Sequence, residues 1–376
     1  MASRKNNTQA ESSQAALERK ERKRIRKKWH RGTFGHVLAV IFLLLAGLVA
    51  LVVMVLGQFF LGSSQAASDS VVQTLHQSSA LKFVPYLYLY EHVAESLERG
   101  NIVSGDEVTD ASLITVAARQ PRPENAEEEE QFDENGILLK EINGATYHGY
   151  MMIVQDPSRV VVGVCNYNPS TGTATRFSTE RAGKRVDEIM QLYGGIACIN
   201  AGAFSDPNGS GNGGMAEGLV ISQGVTMKGN SKTYSAVAGF DENDILHVGN
   251  FTKAQAEEMG LRDACAFGPT LIVNGKASLS KDTGLNPRTA IGQRADGAVL
   301  MLVIDGRQAN SMGATIGDVI NIMLEYGAVN ACNMDGGSST IMYYGSEKIN
   351  DGMTVSVSRR MPTAWIVLQG DKANEQ

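Results

Sequence analysis

Residues that could do chemistry stand where three apolar, strand-like runs end. The run at 196–199 leads into Asn200-Ala201-Gly202, and the run at 328–332 leads into the polar, glycine-rich stretch 333–340. A third run ends in Asp305-Gly306-Arg307. Carboxylate, amide and guanidinium groups bind ligands, and glycine lets the backbone turn tightly and approach a substrate closely. Any one junction taken alone also fits an ordinary turn, since Asp-Gly is common in turns.

Several common kinds of active site are disfavoured. There is no Gly-x-Ser-x-Gly motif, and neither His148 nor His247 has the spacing of a zinc site or an identifiable serine partner. The glycine-rich stretch 208–214 lacks the Gly-Lys-Ser/Thr ending of a P-loop, so we expect a mobile loop over the site, followed by Glu217. No CxxC pair occurs, and the disulfide state stays open for Cys165, Cys198, Cys265 and Cys332.

The elements that must position these residues alternate from about residue 136 to the end. Strand-like runs occupy 153–154, 160–164, 195–199, 271–273, 299–304 and 365–368. Helices are predicted at 179–193 and 315–326, and Thr315 and Asp318 have the spacing of a capping box. We therefore expect an α+β fold, a mixed β-sheet domain with packed helices.

The N-terminal part reads as a membrane anchor. Residues 1–32 carry eleven Lys and Arg against three acidic residues, so with a net charge of −6 the remaining chain carries −6 − 8 = −14. Residues 37–56 contain no charged or hydrogen-bonding side chain, and about 20 helical residues cross the roughly 30 Å hydrocarbon core. A cleaved signal peptide has a shorter apolar stretch, about 7–15 residues. The basic flank predicts a plasma-membrane protein with a cytosolic N-terminus and an extracellular remainder.

A stalk and a linker are predicted between the anchor and the domain. Residues 121–135 contain seven carboxylates and two prolines, and such a stretch cannot bury enough apolar surface to become ordered. Membrane topology and contact with anionic lipid explain the basic tail better than nucleic-acid binding, so we expect no nucleic-acid partner. The predicted order is a cytosolic tail at 1–32, a transmembrane anchor at 33–61, a stalk and acidic linker at 62–135, and an extracellular domain at 136–376.

Six motifs follow one another in the outer domain. They are Asn-Ala-Gly-Ala-Phe at 200–204, Phe-Gly-Pro-Thr-Leu-Ile-Val-Asn-Gly-Lys at 267–276, Pro-Arg-Thr-Ala-Ile-Gly at 287–292, Asp-Gly-Arg at 305–307, Gly-Ala-Thr-Ile-Gly-Asp at 313–318 and Asn-Met-Asp-Gly-Gly-Ser-Ser-Thr at 333–340. With Asn350 and Arg359-Arg360-Met361-Pro362, the series resembles the phosphodiester glycosidase family over about residues 147–368. Ser338 stands where many relatives have a third glycine.

The resemblance implies cleavage of the bond between a sugar's anomeric carbon and a phosphodiester oxygen. Because a phosphate leaving group is stable as an anion, the site needs fixed positive charge more than a proton donor. Arg288 and Arg307 are predicted to bind the phosphate, with Arg360 as a third candidate, since charge-assisted hydrogen bonds contribute about 1.5–3 kcal/mol each. Asp305 and Asp335 are the predicted catalytic carboxylates, which would stabilise or attack an oxocarbenium-like transition state or activate water.

Further residues complete the predicted site. Glu217 is a third catalytic candidate, and the amides of 336–339 are expected to form an anion-binding nest. Substrate binding is also predicted for Asn200, Gly202, Asn333, Gly336, Gly337, Ser338 and Ser339. No cofactor is expected, although Asp305, Asn333 and Asp335 would also suit Ca²⁺ or Mg²⁺.

Three functions stay open at this point. The leading one is a membrane-anchored extracellular hydrolase that cleaves a sugar-1-phosphodiester in a cell-surface or extracellular glycan such as an exopolysaccharide. The second is a non-catalytic glycan-binding or wall-assembly protein on the same scaffold. The third is a metal-dependent phosphodiesterase that breaks the P–O bond instead. The sequence does not define the sugar, the anomer or the oligomeric state.

Overall fold

The computed structural model describes residues 2–61, 65–78, 81–87, 90–99, 108–116, 131–207, 211–279, 282, 284–351 and 359–370. The chain divides into two compact units, Met1–Ser63 and Ser64–Gln376. The first unit contains helix α1, Ala2–Leu61, of which Gly35–Val55 is long and apolar enough to cross a membrane. The predicted span therefore lies within one continuous helix.

Among the described residues, the other helices and the strands belong to the second unit. Its α-helices are α2 (Gln65–His76), α3 (Tyr90–Arg99), α4 (Val186–Leu192), α5 (Lys253–Glu258) and α6 (Ile316–Glu325), and 3₁₀ turns occur at Pro85–Leu87, Ala111–Leu113, Pro157–Arg159 and Gly337–Ser339. Its strands are β1 (Ile137–Asn143), β2 (His148–Val154), β3 (Val160–Val164), β4 (Tyr167–Asn168), β5 (Thr173–Ala174), β6 (Gly195–Asn200), β7 (Val220–Ser222), β8 (Val225–Lys228), β9 (Thr233–Asp241), β10 (Leu246–Thr252), β11 (Leu261–Ala266), β12 (Thr270–Val273), β13 (Lys276–Ala277), β14 (Arg288–Arg294), β15 (Val299–Ile304), β16 (Ala328–Met334), β17 (Met342–Tyr344), β18 (Glu347–Lys348) and β19 (Thr363–Leu368).

The strands form three large sheets. The first has the order β1-β2-β15-β14-β16-β12-β13, the second β10-β9-β11-β7-β8, and the third β18-β17-β6-β19-β3, while β4 pairs with β5. The strand pairs formed by the described residues are all antiparallel. Antiparallel sheets with helices packed on their faces define the α+β class, so the predicted fold class is confirmed.

One apolar core lies between the three sheets. Because successive strand residues point to opposite faces, Val299 of β15 faces this shared core while Leu300 packs on the other side. Trp365 of β19 is fully buried in the shared core and meets Phe240 of β9 edge to face, with ring centroids 5.8 Å apart. All four cysteines are buried and have free thiols.

The outer face of each sheet is covered by a helix. Helix α6 packs on the first sheet, α5 on the second and α4 on the third. The predicted capping box is confirmed, because the Thr315 side chain accepts from the Asp318 amide and the Asp318 carboxylate accepts from the Thr315 amide. Helix α4 is shorter than predicted and begins only at Val186. The preceding chain pairs with another segment through a bridge between Lys184 and Met361, so it is not available for a helix.

The segment predicted as a stalk contacts the rest of the second unit. The Gln77 side chain donates to both carboxylate oxygens of Asp282 at 3.3 Å, and the Thr109 hydroxyl accepts from the Val248 amide at 3.1 Å. Residues 121–130 of the predicted acidic linker and residues 208–210 of the predicted glycine-rich loop lie outside the described residues. The boundaries of tail, stalk and domain stay predictions.

Replacing Trp365 by Ala is expected to lower the free energy of unfolding by about 3–5 kcal/mol, because it removes a large side chain from the core shared by the sheets. Urea denaturation of the full chain in detergent, followed by far-UV circular dichroism, measures this change. The exposed Val225→Ala substitution serves as the control and should change stability by less than about 0.5 kcal/mol. An equal, small effect for both variants would contradict the placement of Trp365.

Candidate active site

A cavity of about 850 Å³ opens beside the strand ends that carry the sequence motifs. Eight of the residues predicted for the site line it: Glu217, Arg288, Arg307, Asn333, Asp335, Gly336, Gly337 and Ser338. Five others, Asn200, Gly202, Asp305, Ser339 and Arg360, are absent from its lining among the described residues. The fold therefore brings eight of the predicted residues together at the cavity, and the other five do not line it.

The two similar junctions after β6 and β16 meet at Asp335. The Asp335 amide donates to the Ala201 carbonyl at 3.0 Å, and Asn200 Nδ2 donates to the Asp335 carbonyl at 2.5 Å. Asn200 Oδ1 accepts from the Thr289 hydroxyl at 2.9 Å and from the Ile341 amide at 3.2 Å. The buried Asn200 side chain thus joins separate segments of the protein, whereas the sequence predicted that it would contact substrate.

Two of the carboxylates that line the cavity, Asp335 and Glu217, lie in different environments. Burial raises the pKa of Asp335 to about 6, although the Ser339 hydroxyl and the positive charge of Arg359 act in the opposite direction. Glu217 is exposed, and its amide donates to the Ala203 carbonyl at 2.7 Å. Asp335 is therefore ionised at neutral pH but close to its protonation range, which is a condition suited to acid–base or nucleophilic work.

Arg288 lines the cavity from a buried position. Its Nη2 donates to Asp282 at 2.9 Å and to the Gly284 carbonyl at 2.8 Å, and its Nε donates to the Ala314 carbonyl at 3.0 Å. Burial lowers the pKa of this guanidinium, and the carboxylate of Asp282 opposes that shift. Asp282 therefore holds Arg288 in one orientation at the cavity wall.

Arg307 is held in a backbone conformation that non-glycine residues rarely adopt, with φ of 59°. Such a conformation costs on the order of 1–3 kcal/mol and is kept where the surrounding structure requires it. Arg307 Nη2 donates to Asn286 Oδ1 at 2.9 Å. A side chain on Gly337, whose φ is also positive at 62°, would come within 3.4 Å of the Arg307 guanidinium. Burial first, and then the nearby charge of Arg288, lowers the pKa of Arg307.

Arg359, not its neighbour Arg360, reaches the cavity. Arg359 donates to Ser338 Oγ at 3.1 Å, forms an ion pair with Asp206, and lies over the Phe204 ring with its guanidinium carbon 5.0 Å from the centroid. Arg360 is about half exposed and lies 3.7 Å from a carboxylate of α4. The sequence nominated Arg360, whereas the structure places its neighbour Arg359 at the cavity.

Two of the four amides predicted to form an anion-binding nest, those of Gly337 and Ser339, donate to carbonyl groups of the protein. The Gly337 amide donates to the Pro287 carbonyl at 2.9 Å, and the Ser339 amide donates to the Gly336 carbonyl at 3.1 Å. The Gly336 amide interacts with the Asp335 carboxylate. These amides are therefore used within the protein, because the short 3₁₀ turn requires its own hydrogen bonds.

Asp305 and Gly202 lie beside the cavity instead of lining it. Asp305 is only 2% exposed, and its carboxylate accepts from Asn350 Nδ2 at 2.8 Å and from the Asp351 amide at 3.1 Å. A side chain on Gly202 would lie 3.0 Å from the Ala266 carbonyl oxygen. Asp305 therefore holds the turn at 350–351. Because Gly202 has no side chain, the backbone can pack closely against Ala266 there.

Asn333 lines the cavity and contains a buried acceptor. Its Nδ2 donates to the Gly268 carbonyl at 2.8 Å, which fixes the orientation of the side chain. Its buried Oδ1 has no hydrogen-bond partner among the described residues. A buried acceptor without a partner costs about 1–3 kcal/mol.

Sequence reasoning missed several residues at this cavity. Asp282 and Asn286 directly precede the Pro-Arg motif, so proximity to that motif was a usable signal. Gln77 and Lys82 come from the predicted stalk and carried no sequence signal. In the described ranges, no group of three or more His, Cys, Asp or Glu side chains is arranged to hold a metal ion. The metal and cofactor expectations stay predictions.

The domain has an α+β fold. Its cavity is lined by guanidinium groups, carboxylates and side chains that can hydrogen-bond to hydroxyl groups. Residues 193–368, just under half of the chain, match the phosphodiester glycosidase family, and this match confirms the resemblance of its motifs.

This chain is similar to a solved structure and to a bacterial protein sequence. The solved catalytic domain of zebrafish N-acetylglucosamine-1-phosphodiester alpha-N-acetylglucosaminidase, auto-inhibited by its pro-peptide, is 18% identical, with a TM-score of 0.51 over 62% of this chain and 82% of that one. That likeness shows the fold. The SPbeta prophage-derived uncharacterized protein YomE of Bacillus subtilis (strain 168) is 33% identical over 158 residues. Those residues are 39% of this chain and 23% of YomE, so the chain spans about a quarter of that relative.

Asp335→Asn is expected to raise stability more at pH 7.5 than at pH 4. Above about pH 6 the folded wild-type protein holds a buried charge, and as pH falls through about 6 it takes up a proton before the unfolded chain does, which stabilises the fold. The variant lacks this gain, so its advantage should shrink by about 1–3 kcal/mol between the two pH values. Urea titrations at both pH values, with exposed Glu242→Gln as the control, measure it. A stability difference between Asp335→Asn and the wild type that does not change with pH would contradict the raised pKa of Asp335.

Proposed function

We propose that this chain is a membrane-anchored phosphodiester glycosidase that hydrolyses the bond between a sugar's anomeric carbon and a phosphodiester oxygen. One observation carries the proposal. A single cavity is lined by Arg288 and Arg307 together with the carboxylates Asp335 and Glu217. This is the combination that an anionic leaving group and a positively charged sugar transition state require.

The arginines bind the phosphate and favour its departure. The cleaved bond leaves its electron pair on a phosphate oxygen, which is stable as an anion, so fixed positive charge takes the place of a general acid. Arg307 is preorganised by Asn286 at 2.9 Å, and Arg288 by Asp282 at 2.9 Å. Groups held in place before the reaction stabilise developing charge without further reorganisation.

Asp335 is our candidate for the group that acts on the sugar. Its carboxylate, ionised at neutral pH, stabilises the oxocarbenium-like transition state and then attacks the anomeric carbon or activates water. Glu217 is the second carboxylate of the site. Asn333, which lines the cavity, is our candidate for binding a sugar hydroxyl. Asp305, which the sequence also nominated for catalysis, is proposed to position the turn at 350–351 instead.

The proposed location of the enzyme rests on its first 55 residues. The apolar stretch Gly35–Val55 supports a membrane anchor, and the basic residues before it support a cytosolic N-terminus. The domain then lies outside the plasma membrane. A phosphate-linked glycan at the cell surface or in an exopolysaccharide is the substrate class that this placement favours.

Hydrolysis of a sugar-1-phosphodiester in ¹⁸O-labelled water should place the label on the anomeric oxygen of the sugar. Asp335→Asn should lower turnover at least 10³-fold while the substrate still binds, and the wild-type kcat/KM should rise as pH increases through about 6. Mass spectrometry of both products locates the label. Label on the phosphate would assign a phosphodiesterase, and saturable binding without turnover would assign a binding protein.

The neighbouring arginines provide a matched pair of variants. Arg359→Ala should lower kcat/KM roughly 10- to 100-fold, because it removes a charge at the cavity wall and the support of Ser338 and Phe204. Arg360→Ala should change kcat/KM by less than twofold, since that side chain lies outside the lining. Steady-state kinetics of both variants measures these changes. A larger loss of kcat/KM for Arg360→Ala than for Arg359→Ala would identify Arg360 as the substrate-binding residue.

A further inference from the structure

The cavity wall contains two residues that come from an unexpected part of the chain. Gln77 and Lys82 line it, and both follow helix α2 in the region predicted to be a stalk. We use the name juxtamembrane segment for residues 77–87, of which 79–80 lie outside the described part. The cavity is therefore lined in part by residues that follow the proposed anchor closely in sequence.

Gln77 connects the juxtamembrane segment to the groups that hold both arginines. Its Nε2 donates to Asp282, the carboxylate paired with Arg288, at 3.3 Å. Its Oε1 accepts from Asn286 Nδ2 at 2.8 Å, and Asn286 in turn accepts from Arg307. The segment is thus built into the phosphate side of the cavity.

The juxtamembrane segment exposes apolar and aromatic side chains beside this contact. Its exposed members are Leu81 at 45%, Phe83 at 56%, Tyr86 at 41% and Leu87 at 71%. An exposed apolar cluster on a folded protein usually marks a surface that contacts another body. The combination of aromatic and aliphatic side chains with Lys82 is the composition that lies at the boundary between lipid headgroups and acyl chains.

The juxtamembrane segment is close in sequence to the proposed membrane span. Gln77 follows Val55, the last residue of the apolar stretch, by 22 positions, most of them in α1 and α2. At about 1.5 Å per helical residue and about 3.5 Å per extended residue, the covalent path is at most roughly 40 Å. A substrate embedded in the same bilayer carries its phosphate at the headgroup level.

We propose that the substrate is a lipid-linked sugar, in which the 1-phosphodiester joins the sugar to a membrane-embedded alcohol, and that the juxtamembrane segment rests on the bilayer beside the cavity. This inference rests on the proposed function. Water adds its oxygen to the anomeric carbon, the bond from that carbon to the phosphate oxygen breaks, and one proton is released. The products are the free sugar and a lipid phosphate monoester that stays in the membrane.

The test compares two probes that differ only in the alcohol. N-acetylglucosamine 1-phosphate is esterified either to a long-chain polyprenol or to methanol, and the full chain is reconstituted in vesicles of phosphatidylcholine and phosphatidylglycerol. The wild-type protein should cleave the polyprenyl ester with at least tenfold higher kcat/KM. Phe83→Ser combined with Leu87→Ser should lower that rate at least tenfold and leave the methyl ester within twofold. The control Val225→Ser, exposed on another surface, should leave both rates unchanged.

A second measurement does not require activity. Phe83→Cys and Val225→Cys are each labelled with a nitroxide in the reconstituted full chain, where the four native thiols are buried. At position 83 collisions with lipid-soluble oxygen should exceed those with a water-soluble nickel chelate, and at position 225 the order should be reversed. A water-accessible label at position 83 would overturn the membrane contact.

The outcomes separate the two proposals. Equal rates on both esters, or equal losses on both in the double variant, would overturn the lipid-linked substrate while the glycosidase assignment stands. A faster methyl ester reaction in the double variant would show that the segment covers the cavity, which also overturns the inference. Cleavage of neither ester by the wild-type protein would overturn the proposed function for this sugar, whatever the nitroxide result.

Discussion

The buried side chain of Asn200 is the contact on which the geometry of the site depends. It ends β6 in the third sheet, binds the carbonyl of Asp335 just after β16 of the first sheet, and accepts from Thr289 of β14 and the Ile341 amide. Packing brings the two sheets together around an apolar core, but such packing is not directional. Directional hydrogen bonds from a single amide set the relative position of the strand ends to within a few tenths of an ångström.

The electrostatics of the cavity follow from this arrangement. Arg288 and Arg307 are close enough that the charge of Arg288 lowers the pKa of Arg307, and burial disfavours both charges. Asp282 offsets part of that cost, and an anionic ligand would offset more. Burial likewise disfavours the negative charge of the Asp335 carboxylate. These buried charges therefore lower the stability of the fold when no ligand is bound. This is expected for a site that binds phosphate and a cationic transition state.

Much of the fold could be read from periodicity. The strands at 160–164 and 299–304 were predicted with their observed bounds, and so was the capping box that begins α6. The error at α4 arose because the chain before Val186 pairs with residues near Met361, a partner far away in sequence. Local pattern predicts an element when the element is stabilised locally, and it fails when a distant segment competes for the same backbone groups.

The sequence by itself determined the apolar N-terminal stretch, the α+β class, the motifs and the chemical kinds of side chain that gather at the site, because residue type and spacing are local properties. Only the tertiary structure decided which members of that set reach the cavity. Asp305 and Asp335 both follow a strand, yet one carboxylate is used by Asn350 and the other lines the cavity. Arg359 and Arg360 are adjacent, yet only one points inward. Gln77 enters the site from far away in sequence because side-chain direction and long-range contact depend on how the sheets pack.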